Sequence, residues 1–91
     1  VTEVYTYKTE DEWVGYTYKD GICFMSAHTT KEKYSILMLK KILETFNMLG
    51  EVVSILPHDY LVDFYKRHAD VTLINEEDRL YKLTKKDVEW V

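Results

Sequence analysis

Asp20-Gly21 separates two seven-residue stretches, Trp13–Lys19 and Ile22–His28, both rich in β-branched, aromatic and other apolar residues. A two-residue primed turn needs positive φ at both central positions, and Asp-Gly supplies them, so the pair predicts a tight β-hairpin. The hairpin commits the chain to a sheet. It also sets the facing of the first of these strands, with Val14, Tyr16 and Tyr18 on one side. Residues 3–8, rich in valine, threonine and tyrosine, predict a preceding strand. The acidic Glu10-Asp11-Glu12 reads as a solvated turn between them.

After the hairpin the apolar period changes. Thr29 and Glu32 have capping-box spacing, which predicts a helix from about Lys31 to Leu49. Ile36, Leu39, Leu43 and Phe46 make its apolar stripe, while Lys33, Lys40, Lys41 and Glu44 are available for the wet side. Gly50 is placed to cap its C-terminus. Glu51 to Leu56 predicts a buried, largely parallel strand, because it is β-branched-rich and flanked by helices. Pro57 ends it, and Asp59 is placed to cap a short helix carrying Leu61, Phe64, Tyr65 and His68. Val71–Ile74 and Leu80–Leu83 predict a closing hairpin around the acidic turn Asn75–Asp78. Thr84 and Asp87 repeat the capping spacing ahead of a tail that ends Glu89-Trp90-Val91.

The expected fold class is therefore α+β: a single mixed β-sheet of about six strands with two helices packed on it, in the order β-β-β-α-β-α-β-β. With no linker-like segment or repeat, residues 1–91 read as one domain, with a core over 3–84 and a tail over 85–91. An apolar content of 46% and an aromatic content of 14% suit a packed core.

The order and local texture resemble the GNAT (Gcn5-related N-acetyltransferase) superfamily from its second strand onward. Glu12-Trp13-Val14-Gly15-Tyr16 looks like a characteristic strand of that family, and Gly21–His28 like the next one, which in the enzymes contacts acetyl-CoA. Lys40–Leu49 looks like the end of the cofactor-side helix, and Leu61-Val62-Asp63-Phe64-Tyr65-Lys66-Arg67 like the later tyrosine-bearing helix. The resemblance implies an acetyl-CoA-dependent fold in which Tyr65 would protonate a leaving thiolate and Lys31 and Lys33 would meet the cofactor phosphates. The alternative for Tyr65 is plain packing, as the i+4 partner of Leu61.

Three departures point away from catalysis. The family's glycine-rich pyrophosphate turn is replaced by Thr29-Thr30-Lys31-Glu32-Lys33-Tyr34-Ser35, which has no glycine. The first strand and two helices that help build the family's acceptor site have no counterpart in the sequence. The family's Gly-Phe after the tyrosine is Ala69-Asp70 here, and its upstream asparagine corresponds to His58.

Other chemistry is sparse. Cys23 reads as a small buried hydrophobe, with His28 the one local base for a nucleophile pairing. The three histidines, His28, His58 and His68, show no metal-ligand spacing. The runs Glu10-Asp11-Glu12 and Glu76-Glu77-Asp78 read as solvated turns that would form one acidic patch if the fold gathers them. A net charge of −4 argues against nucleic acid as a partner. No apolar run approaches the ~20 residues that span a bilayer, so a membrane is not expected. With one cysteine and no signal-peptide pattern, a cytoplasmic location is expected, in host cytoplasm or a virion if the protein is phage-encoded.

Tyrosine and tryptophan combine apolar area with a polar tip and suit interfaces. Tyr5, Tyr7, Trp13, Tyr16, Tyr18 and Trp90 form the predicted interface set, for a protein partner or for self-association. The functional expectation is a non-catalytic GNAT-like protein-binding module, in size and style like a phage or mobile-element virion component or host-factor inhibitor. The alternative is a minimal acetyl-CoA-dependent N-acyltransferase completed by dimerisation.

Overall fold

The computed structural model describes residues 2–32 and 34–86. The elements are β1 (Thr2–Lys8), β2 (Trp13–Lys19), β3 (Ile22–His28), α1 (Ile36–Leu49), β4 (Glu51–Ile55), α2 (Asp59–Lys66), β5 (Ala69–Asn75) and β6 (Leu80–Lys85). They build one six-stranded mixed sheet in the order β1-β2-β3-β4-β6-β5 with two helices, the expected α+β class and element order. Of the predicted tail over 85–91, Lys85 is instead the last residue of β6, and the part from Asp87, with Trp90, lies outside the described residues, as does Lys33.

The hairpin turns as its sequence requires. Asp20 and Gly21 have φ of 54° and 79°, and Lys19 pairs with Ile22 across the two-residue loop. β3 and β4 are parallel, β4 is antiparallel to β6, and β5 is antiparallel to β6. The crossovers β3-α1-β4 and β4-α2-β5 therefore step the same way across the sheet. Right-handed crossovers in that arrangement bring both helices to one face. A single core follows: Met38, Ile42 and Phe46 of α1 and Leu61, Val62 and Tyr65 of α2 pack with Val14, Met25, Val52 and Leu83 of the sheet.

Several local expectations are corrected. The first helix starts at Ile36 rather than Lys31, because Ser35 is its N-cap and its Oγ accepts from the Met38 amide at 3.1 Å. Thr29 is engaged elsewhere: its hydroxyl donates to Glu12 Oε1 at 3.2 Å and accepts from the Lys31 amide. The buried positions of α1 are Met38, Ile42, Thr45 and Phe46, so the stripe is rotated from the expected one and Ile36 is 86% exposed. The C-terminal cap is as expected, with the Gly50 amide donating to the Phe46 carbonyl at 2.8 Å. In α2 the N-cap is His58 with no side-chain cap bond; Asp59 is in the first turn and accepts from Arg79 Nη2 at 2.7 Å.

β4 is not largely parallel. It meets β3 at one register pair, Phe24 with Val53, and β6 at five. Nor is it buried throughout, since Glu51 and Ile55 are exposed. The exposure follows from helices that cover a single face of the sheet, and the antiparallel pairing follows from β6, which returns from β5 and inserts beside β4.

Candidate functional site: the open sheet face and the β3/β4 cleft

Strand alternation sorts each sheet residue to the helix side or to the opposite side. Val14, Tyr16 and Tyr18 pair with Ala27, Met25 and Cys23, and this set shares the helix side with Val52 and Leu83. The opposite face carries Trp13 and Gly15 on β2, Phe24 and Ser26 on β3, Val53 and Ile55 on β4, and Leu80 on β6. Tyr5 of β1 joins it across from Gly15, and Ile22 lies at its lower end beside Lys19. Tyr5, Ile22 and Ile55 are exposed, whereas Trp13, Phe24, Val53 and Leu80 are half-buried. Among the described residues no element lies over this face.

The predicted interface set divides. Tyr5 and Trp13 belong to the open face, where Trp13 stacks on His28 with ring centroids 4.4 Å apart. Tyr16 and Tyr18 lie on the helix side and meet edge to face at 5.5 Å. Tyr7 packs against the core. The aliphatic members Ile22, Val53, Ile55 and Leu80 went unrecognised. Their signal was present: Ile22 to Met25 and Val52 to Ile55 are apolar at both parities or nearly so. Such runs look like strands buried on two sides.

β3 and β4 diverge above the Phe24–Val53 pair, and a cleft of about 430 Å³ opens between them. Its wall includes Phe24, Ser26, Ala27, Tyr34, Val53, Ile55, Pro57 and Leu80. A smaller hollow of about 170 Å³ adjoins it, sharing Ala27, Tyr34 and Pro57. That hollow is polar, with His28, Thr29, Lys31, Glu32, His58 and Tyr60 around it. The arrangement offers an apolar slot with a polar mouth.

Glu12 organises the mouth. It is almost fully buried, takes the Thr29 hydroxyl, and has the Lys31 ammonium at 3.8 Å from Oε1. It is thus not part of a solvated turn, as had been expected, because its side chain anchors the loop after β3. Lys31 is 65% exposed at its side chain and stands at the mouth. Burial raises the Tyr34 hydroxyl above the ordinary phenol range, with Tyr60 adding to the effect.

Tyr65 is 2% exposed in the core beside Leu61 and is not on the cleft wall. Burial, and secondarily the neighbouring Tyr34, push its hydroxyl far above the ordinary value. It stays protonated under all physiological conditions.

The remaining pairings do not assemble. Cys23 and His28 lie at opposite parity on β3 and so face opposite sides of the sheet. Burial raises the Cys23 thiol, against a smaller lowering by its hydrogen bond to Tyr18. Among the described residues no three His, Cys, Asp or Glu side chains are placed to hold a metal ion. The two acidic runs sit at opposite edges of the sheet, one between β1 and β2 and the other between β5 and β6, so they do not form one patch. Among the described residues no helix is long and apolar enough to cross a membrane. No protein-family model, no curated protein and no solved structure matches this chain.

Proposed function

We propose that this domain is a protein-interaction module whose uncovered sheet face is the docking surface. The observation that carries the reading is the one-sided placement of the helices. It leaves a contiguous apolar field from Trp13 to Leu80 facing water. Exposed patches of that kind mark interaction sites. The small size, −4 charge and lack of a preserved phosphate loop suit a GNAT-like binding protein of phage or mobile-element style. Capture by the immobilised domain tests this reading. A protein ligand should be retained by the wild type, lost with Ile22→Asp and with Ile55→Asp, and kept with Lys40→Ala on α1. Capture that ignores both face variants would sink it.

A second reading is favoured by the cleft. A slot between diverging parallel strands, apolar along its length and with a lysine at its mouth, suits an acyl-thioester cofactor such as acetyl-CoA. In that reading Lys31 meets phosphate, and the cofactor's amide chain lies between β3 and β4. Tyr65 would need a path into the slot to donate its proton, whereas Tyr34 already borders it. A thermal-shift titration with acetyl-CoA is the test. Saturable stabilisation lost in Lys31→Ala supports it, and no shift at millimolar cofactor retires it.

A further inference from the structure

We propose that the outer edge of β5 is a second interface, through which two copies of this chain pair edge to edge. The two β5 strands run antiparallel about a two-fold axis at Thr72 and make one continuous sheet. This surface lies apart from the open face and goes beyond the docking reading. β5 is the last strand of the sheet and has β6 on one side only. Its outer side therefore presents a row of backbone N–H and C=O groups with no ladder partner among the described residues. The other outer strand, β1, carries devices that discourage edge pairing. Its register breaks mid-strand, between Tyr5 and Tyr7, and Lys8 stands at its end. In β5 the register is unbroken from Ala69 to Leu73 and shifts only before Asn75.

Charge selects the occupant. The start of β5 is basic: Lys66 and Arg67 precede it, and Lys85 lies across from Ala69. Its end is acidic and runs into Glu76-Glu77-Asp78. All six of these side chains belong to exposed residues, and among the described residues none of them is in an ion pair. Six rises of about 3.4 Å hold the two ends roughly 20 Å apart, more than twice a Debye length of about 8 Å, so each end acts as a separate pole. A partner strand must be acidic where β5 is basic and basic where β5 is acidic. A second β5 laid antiparallel meets that requirement at both ends, whereas a parallel one sets like charges together. With Thr72 on the axis, Arg67 comes level with Glu77 of the other copy and Lys66 with Asp78, twice over. Asp70, the one charged residue within β5, comes level with Ile74 rather than with its own counterpart.

The side chains agree with the same axis. Thr72 meets Thr72, and Val71 meets Leu73. Val71 pairs with Leu83 and packs on the core, so it lies on the helix side, and Leu73 shares its parity. Leu73 is 49% exposed in the single chain. The pairing covers it with Val71 of the other copy and carries the apolar row across the axis.

Sedimentation velocity of the full chain, from micromolar to millimolar concentration and at low and high salt, tests the proposal. Two charge reversals are compared: Lys66→Glu with Arg67→Glu in one variant, and Glu76→Lys with Glu77→Lys in the other. Lys40→Ala on α1 is the control. All five residues are exposed, so the variants should keep the wild-type circular dichroism. The wild type and Lys40→Ala should dimerise, more weakly as salt rises. Each reversal alone sets like charges at both ends and should weaken dimerisation at least about tenfold. An equimolar mixture of the two reversals should recover a dimer, because every end then meets its opposite again. A wild type that is monomeric throughout overturns the proposal, as does a dimer indifferent to both reversals or a mixture that stays monomeric. A dimer lost in Ile55→Asp but kept in both reversals also overturns it and moves self-association to the open face. Capture of a different protein on that face is read separately, so the two readings fail independently.

Discussion

Gly15→Ala isolates the contact that shapes the open face. Ordinary Cβ atoms keep more than 3 Å from a carbonyl oxygen, and the added methyl would meet the Val4 oxygen at 2.5 Å. The obstacle is backbone rather than a flexible side chain, so β1 must move by several tenths of an ångström or unpair near Tyr5. β1 is an edge strand, held by its ladder to β2, by the 2.7 Å Thr6–Thr45 hydroxyl bond and by Tyr7 on the core. Overpacking costs about 1–3 kcal/mol. Replacing glycine where φ is unstrained returns about 0.4–1 kcal/mol through the unfolded chain. The net expectation is a loss of about 1–2 kcal/mol, which in a domain of this size lowers Tm by roughly 4–16 °C. Urea denaturation followed by tryptophan fluorescence measures the loss, since Trp13 sits on the adjoining strand. Amide exchange should show the added opening confined to β1. A variant as stable as the wild type, or more so, would refute the argument that Gly15 is required by space. Gly21→Ala gives the contrast: nothing lies within 4 Å of a Cβ there, and its cost should come from φ of 79° alone, about 1 kcal/mol.

Further consequences can be checked on the same preparation. Ser35→Ala should cost about 1 kcal/mol by removing the true N-cap of α1, and more than Glu32→Ala, whose predicted capping role is not realised; equal losses would restore the earlier helix start. Leu83→Ala removes a side chain with 0% exposure from the centre of the core and should cost about 2–5 kcal/mol by denaturant titration. The raised Tyr65 hydroxyl makes stability fall in alkali. Below pH 10 the phenol is protonated in both states and contributes no slope; above it only the unfolded chain ionises, so unfolding gains up to about 1.4 kcal/mol per pH unit. Tyr65→Phe should flatten that decline between pH 10 and 11.5, and an unchanged slope would contradict the burial of the hydroxyl.

How legible the fold was depended on how local its causes were. The hairpin at Asp20-Gly21 and the limits of β2 and β3 followed from turn chemistry and alternation, which act within a few residues. The start of α1 did not, because Thr29 serves the loop after β3, donating to Glu12 seventeen positions away and accepting the Lys31 amide, while Ser35 caps the helix. β5 runs from Ala69, two residues before the expected start, since β6 offers a paired edge that the sequence of β5 does not announce. The fold divides the predicted interface residues between the two sides of the sheet. Tyrosines drew the interface prediction because of their type, yet side of the sheet decides, and parity against a helix layer is fixed only once crossover directions are known. Ile55 and Ile22 belonged to the surface, and their apolar character argued for the interior.

The docking and cofactor readings are not independent, because they share walls. Phe24, Ser26, Val53, Ile55 and Leu80 line the cleft and also make up the middle of the open face. A protein seated on that face closes the slot from one side, and a ligand chain emerging through it obstructs the partner. Linkage then requires each to weaken the other by the same factor. If acetyl-CoA binds only the uncovered form, at about 100 times its dissociation constant it stabilises that form by roughly 2.7 kcal/mol, enough to weaken a protein partner about a hundredfold. Capture with and without acetyl-CoA therefore reads both. Dissociation on adding cofactor places the ligand in the cleft across the face. Stabilisation of a complex that stays intact requires a ligand confined to the polar hollow around Lys31 and His58. A complex with no response to cofactor leaves the apolar walls of the cleft explained by the protein partner.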